Sequence, residues 1–383
     1  MPTTRFHNLC YRVLLPFAAS PRGKMSLSCP KKPLARSEAW LALQRKHHVM
    51  ASSLLLRSGG EVLTAHTSLP GKTASDDTLY RVASITKMAT ALTVMCLAEK
   101  GLLTVDAPVT DALPQLRGCG ALAGVTLRHL LSHTSGLSDV PEYLRGLSGG
   151  ETVQTVLDSP YLRFAEPGRQ FRYCNFGYGL LGCVIEQASG LTVSEAMHSL
   201  VFEPLAMDAA LDASALPEER IMGIERILSR SHAQVRKTEL GRKPLTSPDP
   251  LRHYGHTAGA MYATVSAIDR LLSVFSGNGA GVVKPETAAE MMQPQADYGP
   301  ADPGLHYGLG LFLVDRPEIS PNRLIGHQGF AYGCVDGAFW ECGTGRSVVF
   351  LNGGASELRL NGRMAAVNVD VLRWALKEEI PAW

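Results

Sequence analysis

Ser84-Ile85-Thr86-Lys87 sets a hydroxyl and a primary amine three residues apart, a spacing that puts both on one face of a helix. The stretch 79–82 reads as extended, and an apolar helical pattern follows it as far as Gly101, a C-terminal stop. At the first turn of such a helix the free N–H groups and the dipole favour negative charge on the Ser oxygen. A Lys in a closed site can lose its proton near neutral pH and accept the proton of the Ser hydroxyl. The plainer alternative is an N-cap Ser with a solvated Lys. S-x-x-K is weak by itself: Ser28-Cys29-Pro30-Lys31 matches it too, in a Pro-containing segment with no helix behind it, and no function is assigned there.

Two further segments carry chemistry. Tyr173-Cys174-Asn175 follows Pro167-Gly168 and a short extended run, and stands just before a helix. Residues two apart in extended chain point to one side, so the phenol and the amide can face one site. A Tyr beside a cationic Lys can work as a phenolate or relay a proton to a leaving group; the alternative is an Asn N-cap with a packed Tyr. Gly326-His327-Gln328-Gly329 falls on a strand near the C-terminus, where flanking glycines let a ligand approach the backbone, unless this is an edge strand with a surface His.

Other patterns compete. Gly146-Leu147-Ser148-Gly149-Gly150 matches G-x-S-x-G, but that elbow needs a strand before it and a helix after it; the flanking residues read as a flexible loop. His129 and His133 have a zinc-compatible spacing of four, yet Leu130 stands where a metalloprotease carries its Glu. No metal and no cofactor are expected.

The elements that must position these residues emerge along the chain. A capped helix starts at Ser37, and a hairpin turns at Gly59-Gly60. The middle, to about 280, is mainly helical, clearest at 175–189, 193–201 and 266–276. The last hundred residues are short β-rich runs with Gly turns, closed by a helix over 362–377. Strands at both ends and helices between them predict one antiparallel sheet completed by both termini: an α/β (α+β) fold with an inserted, mainly helical domain. The expected sheet subdomain covers approximately 35–80 and 300–383, and the helical one approximately 81–299.

The 383 residues suffice for two or three compact units. A net charge of +2 provides no global field for nucleic acid or an anionic membrane, and no run approaches the roughly 20 apolar residues of a membrane span. Residues 1–34 are basic, with Arg5, Arg12, Arg22, Lys24, Lys31 and Lys32 and no acid; they are expected to lie outside the fold, as a disordered leader, a targeting segment or the product of an early start codon. Eight cysteines without a C-x-x-C pair fit a reducing compartment, so the expectation is cytoplasmic, with export as the alternative.

Ser84-x-x-Lys87, Tyr173-x-Asn175 and His327-Gln328-Gly329 in this order resemble the motifs of the serine β-lactamase and penicillin-binding protein superfamily, in its class C, family VIII carboxylesterase and D-aminopeptidase branch. The strings Leu130-Leu131-Ser132-His133-Thr134-Ser135-Gly136-Leu137 and Tyr307-Gly308-Leu309-Gly310 extend the likeness across roughly 45–355. The resemblance implies a β-lactamase/transpeptidase-like fold and a serine hydrolase acting on a small ester, amide or peptide as a monomer or homodimer. It implies Ser84 as acylated nucleophile, Lys87 as activator, Tyr173 as proton shuttle, and Asn175 orienting Lys87 and substrate. His327 and Gly329 would fill the third motif, with the N–H groups of Ser84 and Phe330 as oxyanion hole. His327 and Gln328 depart from the Lys-Thr pair that holds a β-lactam carboxylate, which implies weak or no β-lactamase activity. A true class C-like β-lactamase and a non-catalytic sensor with the same fold are the alternatives.

Overall fold

Ala51–Ser58 (β2) and Glu61–Ser68 (β3) form the hairpin expected from sequence. Gly59 and Gly60 both have positive φ, 55° and 85°, which a two-residue hairpin turn demands and which costs a side-chain-bearing residue steric strain. The computed structural model describes residues 25–31, 36–68, 70–71, 73–211, 214, 216–223, 245–300, 302–331, 333–355 and 360–376, with backbone alone at 148–149.

The hairpin belongs to a nine-stranded antiparallel sheet. Its other strands are Ser26–Ser28 (β1), Ala296–Asp297 (β4), Leu305–Tyr307 (β5), Phe312–Val314 (β6), Leu324–Ala331 (β7), Cys334–Glu341 (β8) and Arg346–Gly353 (β9), in spatial order β1-β3-β2-β9-β8-β7-β6-β5-β4. The seam between the chain's two ends is the β2–β9 ladder, running from Ala51↔Gly353 to Arg57↔Ser347. β1 lies inside the basic segment expected to stay outside the fold; its backbone pairs with β3 at the sheet edge.

Strand alternation divides the side chains between two cores. Leu54, Leu56, Val348, Phe350, Val335 and Phe339 point to one face, under helices Ser37–Lys46 (α1) and Ala366–Leu376 (α5), where Trp40 stacks on Trp374 with ring centroids 5.4 Å apart. Leu55, Leu351, Val349, Ala338 and Ile325 point to the other, under the helical region. Covering both faces explains why most of these strands are buried along most of their length.

Thr86–Glu99 (α2) is buried at every residue from Thr86 to Leu97, as expected of a helix apolar on all sides. Asn175–Ser189 (α3) packs against it and ends at Gly190, whose φ of 70° forms the C-terminal turn. Val265–Ser273 (α4) joins this layer to β2, β8 and β9.

Several local expectations change. Ser37 does not cap α1, where Arg36 holds the cap position without a side-chain bond. Cys174 rather than Asn175 caps α3, its Sγ accepting the Gly177 N–H at 3.4 Å. Residues 146–149 are the end of helix Pro141–Gly149 rather than a flexible loop, so the strand-turn-helix of a nucleophile elbow is absent there. A small three-stranded sheet (Tyr80–Arg81, Ala209–Ala210, Tyr262–Ala263) lies within the mainly helical stretch.

Candidate active site

Between Thr78 and Leu97 every residue is buried except Ser84, which keeps partial access to solvent. Ser84 sits in a 3₁₀ turn, Ala83–Ile85, that leads directly into α2. Ala83 just before it has φ +46°, a left-handed conformation that strains an L-residue and persists only where packing enforces it. The enforcement is visible on each side. Val82 N–H donates to the Met261 carbonyl at 3.0 Å, Thr86 Oγ1 donates to the Ala83 carbonyl at 2.6 Å, and Met261 N–H donates to Thr86 Oγ1 at 3.2 Å. On the sheet side Gly329 presses on the turn: a Cβ at that position would stand 2.3 Å from the Val82 carbonyl oxygen. The space that glycine frees is thus occupied by the protein's own Val82–Ala83 backbone, leading into Ser84, and not by a ligand.

One turn into the helix, Lys87 is fully buried. Its Nζ lies 3.1 Å from Ser84 Oγ, 2.9 Å from Asn175 Oδ1 and 2.6 Å from the Ala258 carbonyl oxygen. Burial lowers its pKa from 10.5 to about 7, against the opposing charge of Asp139. That shift corresponds to about 5 kcal/mol in favour of the neutral amine. A neutral amine has two N–H bonds and one lone pair. Asn175 Oδ1 and the Ala258 carbonyl can only accept, so they take both N–H bonds and leave the lone pair for the Ser84 hydroxyl.

The surroundings that desolvate Lys87 are aromatic. Its Nζ lies 4.8 Å from the Tyr173 ring centroid and 5.3 Å from that of Tyr178, and His133, Tyr307, Phe312 and His327 continue the cluster. Tyr173 hydrogen-bonds Ser84, and burial raises its phenol above the ordinary range. Of the two roles open to it from sequence, the phenolate is therefore disfavoured and the proton relay favoured.

His327 points into this chamber but carries no charge there. Its Nδ1 lies 2.6 Å from the Gln328 carbonyl oxygen, which can only accept, so Nδ1 holds the proton and Nε2 accepts from the Tyr307 hydroxyl at 3.0 Å. Burial lowers its pKa to about 3. The alternative of a surface His fails, because the His327 ring is buried against Tyr173, Tyr307 and Phe312. Gln328 does not reach the pocket either. It points through the opposite face of the sheet, its Nε2 donating to the Arg363 carbonyl at 2.6 Å and its Oε1 accepting from Ala365 N–H at 3.0 Å. β7 pairs with β6 only as far as Gly326, and the half-buried Phe330 stands beyond that point, on the part of the strand next to the Ala83–Ile85 turn.

Residues that sequence reasoning passed over complete the arrangement. Asp139 accepts the Asn175 Nδ2–H at 2.8 Å and the Phe176 N–H at 2.9 Å; its position just after the 130–137 string gave no chemical signal. Ala258 contributes only a carbonyl, brought there by Thr90 Oγ1 donating to the Thr257 carbonyl at 2.8 Å, and a backbone group leaves no mark on sequence. His129 and His133 separate: His129 closes a capping box with Thr126, and His133 Nδ1 accepts the Cys174 N–H at 3.1 Å, holding the tyrosine segment in place.

Comparison with known proteins fits this geometry. The chain is 31% identical over 361 residues to "Esterase EstB" of Burkholderia gladioli, covering 82% of this chain and 88% of that protein. A shorter match, 31% over 179 residues, links 42% of this chain to 38% of "Penicillin-binding protein 4*" of Bacillus subtilis. Among solved structures, the D-amino acid amidase of Ochrobactrum anthropi SV3 superposes with TM-score 0.67 at 26% identity over 85% of this chain and 95% of that one. The octameric penicillin-binding protein homologue of Pyrococcus abyssi, at 23% identity, shares the fold with TM-score 0.69 over 89% of this chain and 76% of that one. The Beta-lactamase family model matches residues 42–351, a span that holds the Ser84 turn, Tyr173, Asn175 and β7, and the chain belongs to that family.

Proposed function

We propose that Ser84 is the acylated nucleophile, Lys87 the base that activates it, and Tyr173 the proton relay; the chain is a serine hydrolase of esterase or amidase type. The observation that carries these roles is the buried Lys87, with both of its N–H bonds satisfied and its remaining lone pair on the only accessible residue of the 78–97 stretch. A substrate carbonyl docks against the N–H groups of Ser84 and Phe330. Lys87 takes the Ser84 proton as Oγ attacks, and the tetrahedral oxyanion settles on the two N–H groups, where losing one donor typically costs about a hundredfold or more. Tyr173 passes a proton to the leaving alcohol or amine, Lys87 restores the phenol, and water repeats the sequence in reverse to free the acid.

The substrate is a small neutral ester or amide. The third motif offers a neutral His327, and Gln328 is spent on the other side of the sheet, so a β-lactam carboxylate would be desolvated there without a cation. The test is a panel of short p-nitrophenyl esters, D-amino acid amides and a chromogenic cephalosporin, run on the native protein and on Ser84→Ala. Esters or amides should exceed the cephalosporin in kcat/KM by about tenfold or more, and Ser84→Ala should abolish all turnover. Cephalosporin hydrolysis near the diffusion limit, or full activity in Ser84→Ala with loss in Ser148→Ala, would overturn the reading.

A further inference from the structure

We propose that Asp139 is a positioning residue: it locks the Asn175 amide with its oxygen on Lys87, and so reserves the lysine lone pair for Ser84. The inference rests on Lys87 being the base.

Donors and acceptors fix the orientation of the Asn175 amide. A carboxylate accepts only, so Asp139 Oδ2 must face the Nδ2 of Asn175, and the 2.8 Å contact fixes which way that amide points. Its Oδ1 is thereby turned to Lys87 Nζ at 2.9 Å. In the flipped orientation an Asn175 N–H would face the neutral amine, which would accept that proton donor with the lone pair meant for Ser84. Without Asp139 both orientations are open, and only one of them is productive. Asp139 is exposed at the mouth of the site, where it has a second, purely structural duty: its Oδ1 accepts the Phe176 N–H at 2.9 Å and the Cys174 Sγ–H at 3.5 Å, at the first turn of α3.

Asp139→Asn separates the two duties. The new side chain keeps one oxygen for the Phe176 N–H but sets an NH₂ against the Asn175 NH₂, so the fold is held while the lock is lost. Its charge also disappears. The charges bearing on Lys87 are Asp139 on the side that favours the cation and Arg81 on the side that opposes it, while Cys174 is held as the thiol and His133 and His327, in the same chamber, stay neutral, and the Tyr173 and Tyr178 rings face the amine. Removing the Asp139 carboxylate takes away support for the cation, so the lysine deprotonates at lower pH. Solvent screening at an exposed site keeps that change modest.

The experiment measures kcat, KM and the pH profile of p-nitrophenyl acetate hydrolysis for the full chain, Asp139→Asn, Asn175→Ala and the double variant, with melting temperatures alongside. Asp139→Asn is expected to lose about tenfold or more in kcat with KM within about threefold. The acid limb should move down by about half to one pH unit, with little change in melting temperature. The double variant should be no worse than Asn175→Ala alone, because Asp139 acts through that amide. An unmoved acid limb with kcat within twofold of native, a loss explained by melting, or fully additive losses would each overturn the proposal. Ser84→Ala keeps the two readings apart. If it remains active, the base assignment fails and Asp139 with it; if it is dead while Asp139→Asn behaves like the native protein, only the Asp139 assignment falls.

Discussion

Lys87 and His327 are two basic side chains fully buried in one aromatic chamber, and burial lowers both by a similar span, Lys87 from 10.5 to about 7 and His327 from 6.5 to about 3. What differs is the starting point: the same desolvation leaves a lysine poised near neutral pH and a histidine silent far below it. Their partners match those ends. Asn175 Oδ1 and the Ala258 carbonyl accept from Lys87, and the Asp139 carboxylate favours its cation. His327 donates to one backbone carbonyl and accepts from one phenol, a set that suits the neutral ring.

The contrast can be broken most sharply at Lys87. Lys87→Ala and Tyr173→Phe should each lower kcat on a short ester by roughly 10² to 10⁴, and the double variant should lose little more than the worse single one, as the proposed roles have them move one proton as a unit. Additive losses in steady-state assays would mean that they act separately. Next in size is the pH dependence. With the neutral Lys87 amine as the proposed base, kcat/KM should fall tenfold per unit below an acid limb near pH 7, and His327→Gln should leave that limb where it is.

Adding a cation at the silent position is a finer probe. His327→Lys supplies an ammonium in the third motif and should move relative kcat/KM toward cephalosporins by about tenfold; no shift would show that the strand does not meet the carboxylate. His327 should also report in stability. Its ring protonates near pH 6.5 in the unfolded chain but only near 3 in the folded one, so the unfolded state binds more protons between those values and stability falls as pH drops through that window. Urea titrations of His327→Gln should show a flatter decline there. The smallest effect is expected at Gln328, whose bonds tie β7 to 363–365 on the far side: Gln328→Ala should cost about 1–3 kcal/mol of stability and leave ester-to-lactam preference unchanged.

Sequence by itself determined much of this. The hairpin at Gly59-Gly60, the helix stop at Gly190 and the strands at both ends are set by backbone geometry and short-range periodicity, which a chain cannot hide. Ser84 and Lys87 share a helix face because three residues make nearly one turn, and Tyr173 and Asn175 face one site beside them. The side to which Gln328 turns follows from strand alternation once the face of His327 is known, yet nothing in the residue string says which face that is. Only the tertiary structure decided that Gly329 yields its space to the Val82 carbonyl, that a backbone oxygen from Ala258 holds the lysine, and that Asp139 fixes the Asn175 amide. These contacts join residues far apart in the chain, through backbone atoms common to every residue or through a carboxylate with no motif around it. Spacing can place two groups on one helix; the desolvation that brings Lys87 to about pH 7 requires the α2 and α3 layer, the sheet and the aromatic residues all closing on the same few ångströms.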